Sequence, residues 1–292
     1  MHVIRDGKTN KKESLVISSA RATRFVSDID IPSKPSVLQR IDTLDDDISA
    51  IAKIVMQDLT LSAAVLKVVN SAWVALPNQI SRIEQAVVLL GLDSIKNIIR
   101  AVCFRTVMEP IAEPKLMKRV WRSSLNTAVC SSVVSRYLHL ANPDEAYALG
   151  LFHNCGIPVL SSHFNRIEPL VIEGYSDPEA NFLLTELKSL NVDHAAIGYR
   201  VSSAWNLPSI IGECIRDHHS LKVHDLDSYS QANSLLVALK LGEHFGREHL
   251  LLGKCDKDYE WEKNKKMCME YLKLDDRDMR ELQHFCDMHL DS

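Results

Sequence analysis

The residues Asp58-Leu59-Thr60-Leu61-Ser62-Ala63-Ala64-Val65-Leu66-Lys67-Val68-Val69-Asn70-Ser71 read as one amphipathic helix. Leu61, Ala64, Val65, Val68 and Val69 recur at i, i+3, i+4, i+7 and i+8, a stripe that only a 3.6-residue period gathers on one face. Asp58 supplies an N-cap carboxylate, and Asn70-Ser71 marks the end. The same grammar extends outward. Upstream, Asp47 caps a helix in which Ile48, Ile51, Ile54 and Val55 share a face. Downstream, Ser81-Arg82-Ile83-Glu84 reads as a capping box, and Gly91 stops that helix because glycine tolerates the left-handed conformation. Asp93 opens the next, with Ile95, Ile98, Ile99 and Val102 together on one side.

Pro110 and Pro114 bracket a break, after which the helical period resumes from Val120 to Tyr137. Further helix starts are read at Asn142-Pro143-Asp144-Glu145, Asp177-Pro178-Glu179, Asp193, Pro208 and Asp275. The last of these carries Met279, Leu282 and Cys286. Alternating strand-like sequence and internal repeats are absent. The fold class expected is all-α, in two helical halves separated near Glu109 to Pro114.

Composition narrows the function classes. The 292 residues are 46% hydrophobic and 25% charged, with only 10 Gly and 10 Pro, so the chain is neither collagen-like nor broadly disordered. A formal net charge of -4 argues against a whole-domain electrostatic grip on nucleic acid. Seven cysteines with no C-x-x-C pair fit reduced thiols, not a disulfide framework or a zinc ribbon. Met1 to Ser14 is polar, so no signal peptide is read, and no apolar run reaches the roughly 18 residues of a membrane span. A cytoplasmic location is expected. The 12 histidines are the one count that suggests chemistry, since imidazole is the commonest metal ligand.

Taken in order, these blocks resemble the HDOD family. The resemblance rests on Gln57 to Ala72, continued by Ile80-Ser81-Arg82-Ile83-Glu84-Gln85-Ala86-Val87-Val88-Leu89-Leu90-Gly91-Leu92. It is carried further by Val120-Trp121-Arg122-Ser123-Ser124-Leu125, Gly150-Leu151-Phe152-His153-Asn154-Cys155-Gly156, Val192-Asp193-His194-Ala195-Ala196-Ile197-Gly198, Trp205-Asn206-Leu207-Pro208 and Arg216-Asp217-His218-His219. The polar first residues, with Lys8, Lys11 and Lys12, read as an N-terminal arm over 1–24, and the resemblance implies an HDOD domain over 25–246. That domain would hold a helical bundle lobe (25–110) and a degenerate HD-like lobe (115–246), followed by a C-terminal helical extension over 247–292. The second lobe would be related to HD-domain phosphohydrolases, which hold divalent metal through a His, a His-Asp pair and a distant Asp.

That ligand set is incomplete here. Hard cations need oxygen ligands, and phosphoryl transfer needs one or two such cations to hold water and clamp phosphate oxygens. Ser123 stands at the first His position. The pair reads His153-Asn154, a neutral amide in place of a carboxylate. The helix expected to carry the last acid, Val237 to Gly242, contains none. His153, His194, His218 and His219 remain, and imidazoles alone suit zinc better than a phosphohydrolase centre. They are read as relic polar groups at helix ends, bonded to backbone or facing solvent, with the dipole at His218 and His219 favouring a cation.

A helix-turn-helix reading of Ser81 to Phe104 would set Arg82, Lys96, Arg100 and Arg105 against phosphates, but Ile95, Ile98 and Ile99 read as core. No nucleophile elbow or phosphate-binding glycine loop is present. Trp73 reads as an anchor between helices or a partner contact. The expectation is a non-catalytic regulatory module in bacterial signalling, working through protein or small-ligand binding. The alternative is a metal-dependent phosphohydrolase acting on a nucleotide or cyclic dinucleotide. The vestigial pocket would comprise Ser123, His153, Asn154, His194, His218 and His219. No catalytic residue, cofactor or metal is expected, although a metal, if bound, would fall to His153, His194, His218 and His219. Partners would be signalling proteins, with neither membrane nor nucleic acid among them.

Overall fold

The computed structural model describes residues 26–44, 47–72, 79–220 and 230–290. The expected arm over 1–24 and Trp73 lie outside them. The described residues form helices and no strand, so the chain is all-α. In the first half the helices are α1 (Ser36–Asp42), α2 (Ile48–Met56), α3 (Leu59–Ala72), α4 (Ile83–Leu90) and α5 (Leu92–Met108). After the Pro110–Glu113 turn come α6 (Pro114–Leu138), α7 (Pro143–Phe152), α8 (Gly156–His163), α9 (Ile167–Ser176), α10 (Phe182–Leu190), α11 (His194–Ala204), α12 (Ser209–Asp217) and α13 (Gln231–Phe245). A π-helical turn, His249–Gly253, leads to α14 (Tyr259–Leu272) and α15 (Asp276–Leu290).

Most starts follow from local chemistry. The Asp47 carboxylate accepts Ala50 N–H at 3.0 Å, Asp58 accepts Leu61 N–H at 3.0 Å, and Asp193 accepts Ala196 N–H at 2.7 Å. Asn142 caps α7 with Pro143 at the first position, where its missing N–H costs nothing. Asp275 accepts Arg277 and Asp278 N–H at the start of α15. Asn70 does more than end a helix. Its amide donates to Leu66 O and Ile80 O, both at 2.9 Å, and accepts Ile80 N–H at 2.8 Å, tying α3 to the segment that enters α4.

Three expected starts are corrected. Ser81 caps nothing: Arg82 is the N-cap of α4 and no side chain closes the box. Gly91, with φ of 80°, both ends α4 and precedes α5, so that helix begins at Leu92 and not at Asp93. Asp177 closes α9, and its carboxylate accepts Glu179 N–H at 2.8 Å, which makes Asp177-Pro178 a turn. The next helix waits for Asn181, whose side chain accepts Leu184 N–H.

The hydrophobic core runs without interruption from the first half into the second. Phe104 of α5 meets Phe152 of α7 edge-on at 6.4 Å and Trp205 at 5.4 Å. Trp205 Nε1 donates to Pro32 O at 3.0 Å, and Arg200 donates to Ile29 O at 2.9 Å, so the entering segment is stitched to the end of α11. A smaller cluster fixes the C-terminal helices: Trp261, Tyr271, Leu282 and Cys286 pack on Cys130, Val134, Val237 and Phe245. The long α6 is the axis of the second half, with α7, α13 and α15 packed against it. Gly242 permits a close approach of α13 to α6, since a Cβ there would lie 2.0 Å from Ser131 Oγ and 2.9 Å from Thr127 O. Among the described residues, no single helix is long and apolar enough to cross a membrane.

Candidate functional site: two buried polar clusters in the second half

The close packing of α6, α7 and α13 brings polar groups from distant sequence into one buried place. His153 follows the last residue of α7 and is fully buried. Its Nδ1 lies 2.8 Å from Gly150 O, one turn back, which aims Nε2 at Glu248 Oε2, 3.0 Å away. Glu248, 2% exposed, sits just beyond α13 after Arg247 in a left-handed turn. Its Oε2 also accepts Ser123 Oγ at 2.9 Å and Thr127 Oγ1 at 3.3 Å, both from α6. Its Oε1 accepts the Tyr175 hydroxyl and Asn154 Nδ2, the latter at 3.0 Å. Burial alone would raise the Glu248 carboxyl. The facing His153 charge and the hydrogen bonds from His153, Tyr175 and Ser123 outweigh it and hold the carboxyl down at about 2. Burial pulls the His153 imidazole the other way, but the Glu248 charge and hydrogen bond lift it above its ordinary value. His153 and Glu248 therefore form a charged, satisfied pair.

A second carboxylate stands beside this pair. Glu243, on the last turn of α13, is 6% exposed and lies with His153 and Glu248 close enough for three ligand atoms to fall within 4.8 Å of one another. Its partner is Lys240, one turn earlier. The Lys240 Nζ donates to Glu243 Oε2 at 2.7 Å and to Glu260 Oε1 of α14 at 3.0 Å, with a side chain only 1% exposed. Burial opposes a charged lysine, yet Glu243 and Glu260 together raise its affinity for the proton. Burial lifts the Glu243 carboxyl to about 7 against the pull of Lys240, with the Glu248 charge adding to the rise. Burial would lift Glu260 too, but Lys240 and His219 hold it well below the ordinary carboxylate range.

The other histidines form the second cluster. His194 opens α11, and its Nδ1 lies 2.7 Å from Glu186 Oε2, which also accepts the His194 backbone N–H at 2.9 Å. Gly156, at the start of α8, lets this helix end come close: a Cβ there would lie 1.9 Å from His194 O. His218 follows α12 and directs Nδ1 to Ile215 O at 2.6 Å. His219 directs Nδ1 to Glu260 Oε1 at 3.2 Å. Burial pushes His218 well below its ordinary value, helped by His219 and His194, and pushes His219 down to about 4 despite Glu260. Both are neutral imidazoles at pH 7. The dipole-favoured cation expected at this helix end is overruled by desolvation, which dominates once the rings lie inside.

The sequence-derived pocket is thus divided. Ser123, His153 and Asn154 belong to the Glu248 cluster, and His194, His218 and His219 to the other. The nearest ring pair between them is His153 and His218, 5.5 Å apart. Of the two alternatives read for these histidines, bonded to backbone or facing solvent, none faces solvent: His153, His194 and His218 are 0% exposed and the His219 side chain 4%, and His153 and His218 do bond backbone carbonyls. The stretch Val237 to Gly242 is acid-free, but Glu243 and Glu248 arrive just beyond it, and Glu186 and Glu260 arrive from helices that bear no family motif. One local signal was present. Lys240 interrupts an apolar run with Glu243 at i+3, a spacing that pairs a lysine with a carboxylate on one helix face. Of the basic residues set against phosphate, Arg100 bonds Asp42 at 2.8 Å, and Arg105 bonds Glu109 at 2.7 Å while lying over Trp121.

The profile of the HDOD domain matches residues 31–221. The chain belongs to the HDOD family. An uncharacterized protein of Treponema pallidum is 28% identical over 201 residues, 66% of this chain, and the chain spans 38% of that relative's length. Among solved structures, an HDOD domain protein of unknown function from Geobacter sulfurreducens superposes with a TM-score of 0.61 at 20% identity, covering 92% of this chain and 99% of that one. A candidate signal transduction protein from Marinobacter aquaeolei gives 0.64 at 16% identity, covering 94% of this chain and 64% of that one. A candidate phosphohydrolase from Shewanella amazonensis gives 0.58 at 21%, covering 87% and 97%. At these identities the structural likeness concerns the fold.

The sequence resemblance to HD phosphohydrolases implies a divalent hard cation, which takes oxygen ligands. A hard-cation centre at His153 fits poorly: Asn154 presents an amide to Glu248, Glu248 already accepts five donors, and Glu243 faces the Lys240 ammonium. The imidazole cluster of His194, His218 and His219 offers nitrogen donors instead.

Proposed function

We propose that this HDOD chain is a non-catalytic signalling module of the bacterial cytoplasm, acting by binding a signalling protein or small ligand. The observation that carries the reading is Lys240. Its ammonium, 2.7 Å from the buried Glu243 and 3.0 Å from the partly buried Glu260, gives these carboxylates a tethered cation where a phosphohydrolase would offer them metal ions. Asn154 extends the same logic, because an amide donates to Glu248 where an aspartate would compete with it for a cation. The module then transmits information by what docks on its helices, not by turnover.

The phosphohydrolase reading draws its support from the proximity of His153, Glu243 and Glu248. One assay separates the two: hydrolysis of phosphate monoesters, phosphodiesters and cyclic dinucleotides by purified protein with manganese, beside His153→Ala. The regulatory reading expects the two proteins to give the same background. Turnover abolished by the substitution would establish an enzyme.

A further inference from the structure

The three imidazoles of the second cluster present an unusual arrangement of lone pairs. Each ring has its Nδ1 directed at an acceptor inside the protein: Glu186 Oε2 for His194, Ile215 O for His218 and Glu260 Oε1 for His219. An Nδ1–H donated in this way leaves Nε2 as the unprotonated nitrogen of a neutral ring. The His194 and His218 Nε2 atoms then face each other at 3.3 Å, lone pair towards lone pair, unless a proton or cation lies between them. His219 Nε2 is buried and has no partner at all. One ring nitrogen from each of the three lies within 4.8 Å of the others.

We propose that His194, His218 and His219 bind one zinc ion through their Nε2 atoms. Zinc–imidazole bonds are about 2.0–2.1 Å long, so two ligands on a tetrahedral ion have nitrogens about 3.3 Å apart. The His194–His218 separation of 3.3 Å matches that spacing without rearrangement. Two carboxylates and a carbonyl on the distal nitrogens are the outer contacts by which proteins fix ligating histidines, setting the tautomer and raising basicity. Three neutral nitrogen donors favour zinc over magnesium, calcium or manganese, which take oxygen. Phe182 packs at 4.8 Å from the His194 ring and 5.1 Å from His219, giving the site an apolar wall. This metal belongs to the imidazoles, not to the His153 carboxylates, and binding stands whether or not the chain is an enzyme.

The test uses the full chain, stripped with a chelator and dialysed against zinc. Metal analysis should return about one zinc per chain, with a concentration-dependent rise in melting temperature. Cobalt(II), used as a spectroscopic substitute, should give the intense visible bands of a tetrahedral nitrogen site. His219→Ala should lower zinc affinity by about 100-fold or more, and Glu186→Gln, which keeps all three ligands, by about 10- to 100-fold. If His219→Ala does not fold, the wild-type cobalt spectrum and Glu186→Gln still decide. Wild-type protein that gains neither zinc nor a melting shift at 100 μM zinc would overturn the proposal, as would zinc retained unchanged in a folded His219→Ala variant.

Discussion

Replacing Lys240 by methionine asks directly whether the buried ammonium balances its neighbours. Methionine keeps the volume and length of the side chain while deleting the charge, so any cost is electrostatic and not a cavity. Lys240 Nζ makes two charge-assisted hydrogen bonds, at 2.7 Å to Glu243 and 3.0 Å to Glu260. Glu243 can relieve the loss by taking up a proton, since burial already holds it at about 7. Glu260, held well below the ordinary range, gives up its main counter-charge and keeps only His219. Removing one partner of a buried ion pair costs about 3–5 kcal/mol, a large share of a typical total of about 5–15 kcal/mol. Lys240→Met should therefore lose about 3 kcal/mol or more at pH 7, read by urea unfolding followed by circular dichroism. Adding Glu243→Gln should recover part of it, with a coupling of about 1–3 kcal/mol in the double-mutant cycle. A loss below about 1 kcal/mol with no coupling would refute the reasoning, because it would mean that water and not Lys240 compensates these carboxylates.

Other perturbations probe separate links. Asn154→Asp places a second carboxyl where Nδ2 now donates to Glu248 at 3.0 Å, so it should destabilise by about 1–3 kcal/mol. The introduced acid, raised by Glu248, should destabilise more at pH 8 than at pH 5, in thermal melts at both. Gly156→Ala drives a methyl to 1.9 Å from His194 O and should cost at least about 1–3 kcal/mol by thermal unfolding; a neutral effect would mean that α8 and α11 separate easily. Burial would raise the Asp42 carboxyl, but Lys34 and Arg100 bring it below its ordinary value, so its contribution is present above the unfolded pKa of about 3.9 and is lost as pH falls through the folded one. Asp42→Asn should thus cost about 1–2 kcal/mol at pH 7, discounted for partial exposure, with the difference vanishing once pH has fallen through the folded value, as seen in pH-dependent urea unfolding.

The helical fold was legible because its signals are local. Asp47, Asp58, Asn142 and Asp193 cap helices through side chains that reach amides two or three residues on, and the stripe from Leu61 to Val69 becomes core. The misread starts share one physical cause: several polar residues in a row can each cap, and tertiary packing selects among them. Thus Asp177 turned the chain and Asn181 opened the helix. The site was half legible. His153, His194, His218 and His219 stand in recognisable blocks, but their partners do not, because Glu260 lies 41 residues beyond His219 and Glu248 lies 95 beyond His153. A carboxylate becomes a partner through burial against a ring, and burial is a property of the packed α6, α7 and α13 assembly. Hence sequence pointed to the histidines but not to their surroundings, which hold each Nδ1 against an acceptor and each ring inside.

The central claim is that Glu243 and Glu248 are balanced by Lys240 and His153 and not by a bound hard cation. Anomalous diffraction from crystals soaked in manganese measures this most directly. The account predicts no manganese peak among His153, Glu243 and Glu248, with Lys240 Nζ still bonded to Glu243. A peak bonded to both carboxylates, with Lys240 displaced, would contradict it.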